Sequence, residues 1–150
     1  MIDIPILAVK DQLKTINEGG RTLIWDMIRK QYVVLQPEEL VRQMLIVYLT
    51  DHAGYPTSRI RVEKGLVQKE KQGRYDIIIY DKAVTPWMLI ECKSHKVNLT
   101  QGTFDQLSGY NRKMKAPYYL VSNGLSTFCY TANHEQKKYE LLDTLPSYGE

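Results

Sequence analysis

The chain is poor in the features that would make its class obvious. Its 150 residues hold two cysteines, Cys92 and Cys129, with no C-x-x-C spacing, too few for a disulfide framework and without the neighbours of a cysteine metal site. No apolar run approaches the roughly eighteen residues of a membrane-spanning helix. The opening Met1-Ile-Asp-Ile-Pro-Ile-Leu7 lacks a basic start and a cleavage site, which argues against a signal peptide. Low-complexity tracts, internal repeats and linkers are missing as well. A reduced, cytoplasmic protein with no membrane partner is expected. The net charge of +3 is too mild to single out nucleic acid, although it permits it.

What remains is a chain long enough for one core. Eleven tyrosines stand against two phenylalanines, many in strand-like runs where the ring packs and the hydroxyl points outward. Residues 1–20 carry a weak pattern ending in the turn Glu18-Gly-Gly20. Thr22–Asp26 and Gln31–Leu35 read as short strands around Met27–Lys30. Pro37 at N1 and acids in the first turn open a helix from Gln36 to about Asp51, with Val41, Met44, Leu45 and Tyr48 on its apolar face. Arg59–Val67 alternates as a strand, and Lys69–Gly73 is a polar turn. Tyr75–Tyr80 and Trp87–Lys93 are apolar strands around the turn Asp81–Pro86. Thr100–Met114 is a second helix with Phe104, Leu107, Tyr110 and Met114 inward. Pro117–Ser122, the tight turn Asn123-Gly124, Ser126–Thr131 and Tyr139–Leu142 complete the chain. The order predicts an α/β fold, a mixed β-sheet flanked by helices with a central hairpin.

Chemistry is concentrated in that hairpin. Asp76, Glu91 and Lys93 interrupt apolar runs that read as buried, where an unpaired charge is costly. Side chains alternate along a strand, so Asp76 shares a face with Ile78 and Tyr80, and Glu91 with Leu89 and Lys93. If the strands pair, Asp76 lies near Glu91, and two carboxylates so close repel unless a divalent cation sits between them. Lys93, about 7 Å further along, could orient or deprotonate an attacking water. Metal plus lysine suits hydrolysis of a phosphodiester. The plainer alternative is a strand-end aspartate and a structural Glu91–Lys93 pair.

Asp76 followed by Glu91-x-Lys93 resembles the signature of the PD-(D/E)XK nuclease superfamily. Within it, the chain resembles the N-terminal nuclease domain of type I restriction enzyme R subunits and its free-standing relatives. The matching stretches are Pro37-Glu-Glu-Leu-Val-Arg-Gln43, Gly73-Arg-Tyr-Asp-Ile77, Leu89-Ile-Glu-Cys-Lys93, Gln106-Leu-Ser-Gly-Tyr110 and Ala116-Pro-Tyr-Tyr-Leu-Val-Ser-Asn-Gly124. Tyr75 stands where the superfamily's name has proline.

The resemblance implies a restriction-endonuclease-like fold with an α-β-β-β-α-β core. It implies one nuclease-like domain over residues 1–150, with an extension to residue 20 and a family-like core over 21–145. It further implies a Mg²⁺- or Mn²⁺-dependent deoxyribonuclease of restriction-modification type. Asp76 and Glu91, with the backbone carbonyl of Cys92, would hold the metal, Lys93 would be the catalytic lysine, and Gln106 and Tyr110 would position DNA. Core packing is the alternative for Tyr110. An acid on the first helix completes many such sites. Here Glu38 borders the apolar stripe whereas Glu39 points away from it, so Glu38 is the choice, with helix-dipole stabilisation by both acids the alternative. There is no room for a motor domain in 150 residues, so a stand-alone nuclease, a homodimer, or a component working with helicase- or methyltransferase-type subunits is expected. A non-catalytic DNA-binding or assembly module on the same fold is the rival reading.

His95 could meet phosphate, or could be an exposed histidine after a strand. Lys64, Lys69, Lys71 and Arg74 could flank a DNA backbone, or form a solvated turn.

Overall fold

A computed structural model of the protein describes residues 1–62 and 75–149; the side chains of residues 106, 107 and 110–113 lie outside the description as well. Two sheets are present among these residues. The smaller is an antiparallel meander of β1 (Thr15–Glu18), β2 (Arg21–Asp26) and β3 (Gln31–Val34). The larger has six strands in the order β4 (Ile60–Val62), β5 (Ile77–Tyr80), β6 (Pro86–Cys92), β7 (Tyr118–Ser122), β8 (Thr127–Asn133) and β9 (Lys138–Leu141). All its pairings are antiparallel except β6 with β7, whose crossover is the helix α2 (Gln101–Met114). With α1 (Pro37–Val47) before β4, the sequence of elements from α1 to β7 is α-β-β-β-α-β, as expected.

Strand alternation assigns each central strand to two cores. Ile77, Ile79, Met88, Ile90 and Leu120 pack with Val41, Leu45 and Leu49 on one face. Ile78, Leu89, Tyr119 and Val121 pack on the other, with Phe104 and Met114 of α2 against them. A sheet buried on both faces explains why β5, β6 and β7 read as continuous apolar runs.

Residues 1–20 contribute more than their weak pattern suggests. A 3-10 helix, Ile6–Gln12, packs beneath α1, and Ile2, Ile6 and Val9 are fully buried. After Val47 the first helix continues as a single π turn, Tyr48–His52. The strand expected over Arg59–Val67 is seen as Ile60–Val62, preceded by a 3-10 turn at Thr57–Arg59. Its remainder, the Lys69–Gly73 turn and the basic residues Lys64, Lys69, Lys71 and Arg74 lie outside the described residues. Gly124 has φ +86°, and a Cβ there would stand 3.3 Å from Val41 Cγ2. Both the turn and the close approach to α1 therefore require glycine.

Candidate active site

Pro37 starts α1 after an extended Gln36 (φ −121°, ψ 159°), and Glu38 and Glu39 occupy the first turn. Val41 to Ile46 are all buried, so this stretch is covered on more than one side. Two of those residues, Arg42 and Gln43, are polar, and burial obliges them to find partners. Gln43 Nε2 donates to Glu39 Oε1 at 3.0 Å. Arg42 Nη1 donates to Glu39 Oε2, and Arg42 Nη2 donates to Asp76 Oδ1 at 2.6 Å.

Glu39 is gripped from its far side too. Arg29 Nη2 donates to Glu39 Oε1 at 2.6 Å, and Arg29 Nε donates to Asp26 Oδ2 at 2.5 Å. Asp26 has no exposed surface and caps the β2–β3 turn, its Oδ1 accepting the Ile28 and Arg29 N–H groups at 2.8 and 2.9 Å. Burial alone would raise this carboxyl, but the hydrogen bonds and charge of Arg29, with the Ile28 N–H, hold it below its usual value. A line of alternating charges, Asp26, Arg29, Glu39, Arg42 and Asp76, thus joins the small sheet to the large one.

The expectation that Glu39 points away from the packed side is corrected. At i+3 and i+4 from it stand Arg42 and Gln43, and its side chain is turned inward to them with 12% exposed. Glu38 is the more exposed of the two. Its carboxyl is raised by partial burial and by the negative charge of Asp76, against the opposing pull of Arg42 and Lys93. The two adjacent glutamates therefore face different surroundings.

Asp76 occupies a bend just ahead of β5. Its N–H donates to Ile90 O at 3.0 Å, whereas the β5–β6 register pairs Ile77 with Ile90 and Ile78 with Leu89. The skewed last rung takes Asp76 out of strict alternation. Ile78, of the same parity, enters the core on the α2 side, while Asp76 is bound by Arg42 of α1. Its second oxygen, Oδ2, accepts the Cys92 N–H at 2.6 Å across the hairpin.

Glu91 is 8% exposed near the end of β6. Its carboxyl is pushed up to about 8, first by burial and then by Asp76, despite Lys93 Nζ at 3.4 Å from its Oε1. Glu91 Oε2 is buried with no hydrogen-bond partner among the described residues. Lys93 follows the last residue of β6, tied by its N–H to Ser122 O at 2.8 Å. Cys92 is wholly buried and its thiol is raised by burial and by Asp76, which makes it a packing residue rather than a nucleophile.

The sequence-predicted residues Asp76, Glu91, Cys92 and Lys93 are thus brought together, with Glu38 within their electrostatic reach. Gln106 and Tyr110 belong to α2 by backbone, and their side chains lie outside the described residues. His95 stands apart, lining a cavity of about 210 Å³ with Val41, Met44 and Leu125. A second cavity of about 420 Å³, lined by Lys115, His134 and Lys137 among others, lies toward the opposite end of β7. Sequence reading missed Arg42, Arg29 and Asp26. The available signal was a charged residue inside a buried helical run, with an acid three positions before it.

Among the described residues no three His, Cys, Asp or Glu side chains form a ready-made metal cage. The donor chemistry nonetheless fits a hard divalent cation. Two buried carboxylates repel each other and one buried oxygen has no partner, while Mg²⁺ commonly takes only one or two carboxylates alongside water and phosphate.

Comparison with known proteins adds a family. No curated protein matches the chain. One solved fragment that resembles it is described as an HsdR subunit of a type I restriction enzyme from Vibrio vulnificus YJ016. The similarity is 20% identity over 59% of this chain and 17% of that one, with a TM-score of 0.39. Among the described residues, no helix is long and apolar enough to cross a membrane. Residues 37–146, from the start of α1 to beyond β9, match the family model of the type I restriction enzyme R protein N terminus, and the chain belongs to that family.

Proposed function

We propose that the chain is a metal-dependent nuclease of the PD-(D/E)XK type that hydrolyses DNA phosphodiester bonds. The observation that carries this reading is the buried, mutually repelling pair Asp76 and Glu91 beside Lys93, with Glu91 held up to about 8 and one of its oxygens unpartnered among the described residues. Carboxylates strongly perturbed by burial and by a specific charged neighbour mark candidate functional sites. Membership of a restriction-enzyme family supports the same reading.

Asp76 and Glu91, with the Cys92 backbone carbonyl, would hold Mg²⁺ or Mn²⁺. Bound there, the cation supplies a lowered pKa for its water and a counter-charge for the phosphate. Lys93 contributes a positive point charge with three rotatable donors, positioned to orient the attacking water or accept phosphate. Glu38 supplies a further acid at the rim. Gln106 and Tyr110, one turn apart on α2, align the DNA strand.

The test is incubation of supercoiled, linear and single-stranded DNA with Mg²⁺, Mn²⁺ or EDTA, beside Asp76→Ala and Lys93→Ala. Cleavage should need metal and fall at least about a hundredfold in both variants, the scale on which removing one charge-stabilising group acts. A folded wild type that cuts none of these substrates would sink the stand-alone form of the reading. A second reading, activity only within an assembly, is favoured by the family itself, which is the N terminus of a larger R protein. Cleavage that appears only on adding helicase- or methyltransferase-type subunits would select it.

A further inference from the structure

Arg42 has no assigned part in the chemistry, yet it makes the most direct contact with the site. Its Nη2 lies 2.6 Å from Asp76 Oδ1, while Asp76 Oδ2 is taken by the Cys92 N–H. The guanidinium therefore satisfies the negative charge that a divalent cation would need. It is not a free-swinging surface arginine. Nη1 is bound to Glu39, which is fixed in turn by Gln43 Nε2 and Arg29 Nη2, and Arg29 is locked to Asp26. Arg42 Nε is buried and unpartnered among the described residues. If Nη2 let go of Asp76, the guanidinium would remain paired with Glu39, so release would not leave a naked buried charge.

We propose that Arg42 is a positioning residue that acts as an internal stand-in for the metal. It clamps Asp76 in metal-free protein, and yields Oδ1 when a divalent cation binds, remaining moored to Glu39. This rests on the reading that Asp76 and Glu91 take the cation. Its consequence is that Arg42 opposes metal binding while stabilising the metal-free fold. A residue that merely aligned Asp76 for the metal would have the opposite effect on affinity.

Calorimetric titration of Mn²⁺ into wild type, Arg42→Gln and Asp76→Asn separates these cases. Arg42→Gln should bind Mn²⁺ about tenfold or more tightly than wild type, opposite in sign to the roughly 10- to 100-fold loss that follows when a group supporting a metal ligand is removed. It should melt earlier in EDTA, and gain more on saturation with Mn²⁺. Equal or weaker binding by a folded Arg42→Gln, with wild-type binding still lost in Asp76→Asn, overturns the stand-in role and leaves the metal site intact. Binding in neither wild type nor Arg42→Gln overturns both. Because Arg42→Gln could fail to fold, the Nε–H resonance of Arg42 in the wild-type protein provides a second readout during Mg²⁺ titration. It should move with the same midpoint as Mg²⁺ binding. A resonance that stays fixed while the Asp76 carboxyl signal shifts overturns the proposal.

Discussion

Glu38 and Glu39 are adjacent on α1, and they divide the molecule's charges into two groups. On the Glu39 side, Asp26, Arg29, Glu39 and Arg42 alternate in sign, and each finds an opposite charge on its neighbour. On the Glu38 side, Glu38, Asp76 and Glu91 crowd like charges together, and two of the three carboxyls are raised by burial and by Asp76. Arg42 belongs to both groups. Chains of satisfied charges serve structure, whereas like charges held together against their repulsion are a cost that a proton, an internal cation such as Arg42 or a bound cation can relieve. Position on the same helix turn does not decide between the two; what faces each side chain does.

The comparison is broken most directly at Asp26. Asp26→Ala leaves the Ile28 and Arg29 N–H groups without their acceptor and strips Arg29 of one of its two carboxylates. A loss of about 3 kcal/mol is expected, the scale for breaking a buried pair from one side. Urea unfolding measures it, and a loss under about 1 kcal/mol would mean the ladder is surface ornament of the kind that contributes little.

At Glu91 the sign should reverse. Its carboxyl is near 8 in the folded protein against an ordinary 4.5, so between those values the native state binds more protons than the unfolded one. Metal-free stability from this group should therefore be full below about pH 4.5 and fall as pH rises from there toward 8, by at most about 1.4 kcal/mol per pH unit. Asp26, lowered in the fold, acts in the opposite sense, losing its contribution only as the medium turns more acidic. Glu91→Gln should flatten the alkaline fall and match or exceed wild-type stability in EDTA at pH 8, while abolishing any Mn²⁺-induced rise in Tm. Parallel melting curves for the two proteins from pH 5 to 8 would show that Glu91 is not held against its charge.

Much of this was legible in the sequence. Runs such as Trp87–Lys93 and the 3.6-residue pattern of α1 report burial of local segments, and the order of the core elements follows from them. Asp76, Glu91 and Lys93 could be found because a charge in an apolar run is conspicuous. The 3-10 helix Ile6–Gln12 was not legible, since Ile6 and Val9, one turn apart, are too short a pattern to identify a helix. Neither was the bend that takes Asp76 off the face of Ile78, which depends on one skewed hydrogen bond to Ile90. Glu39 was misplaced for a definable reason. Helical periodicity judges each residue against one apolar stripe, and α1 is covered beyond that stripe where the β2–β3 turn brings Arg29 to it. The partnership of Arg42 with Asp76 spans 34 residues, and no local pattern carries such a contact.

The smallest and sharpest test exchanges the two neighbours. Glu39→Gln keeps the side chain's size but removes the charge that Arg29 and Arg42 share, and should lower Tm by several degrees, corresponding to about 1–2 kcal/mol. Glu38→Gln removes an exposed carboxyl with no ion pair among the described residues and should change metal-free stability by no more than about 0.5 kcal/mol, as surface changes do. It should nonetheless weaken Mn²⁺ binding, because one negative charge near Asp76 and Lys93 is gone. Thermal melts and Mn²⁺ titrations of the pair decide it. Were Glu39→Gln to lose metal and keep its stability, with Glu38→Gln doing the reverse, the division drawn along this helix would be inverted.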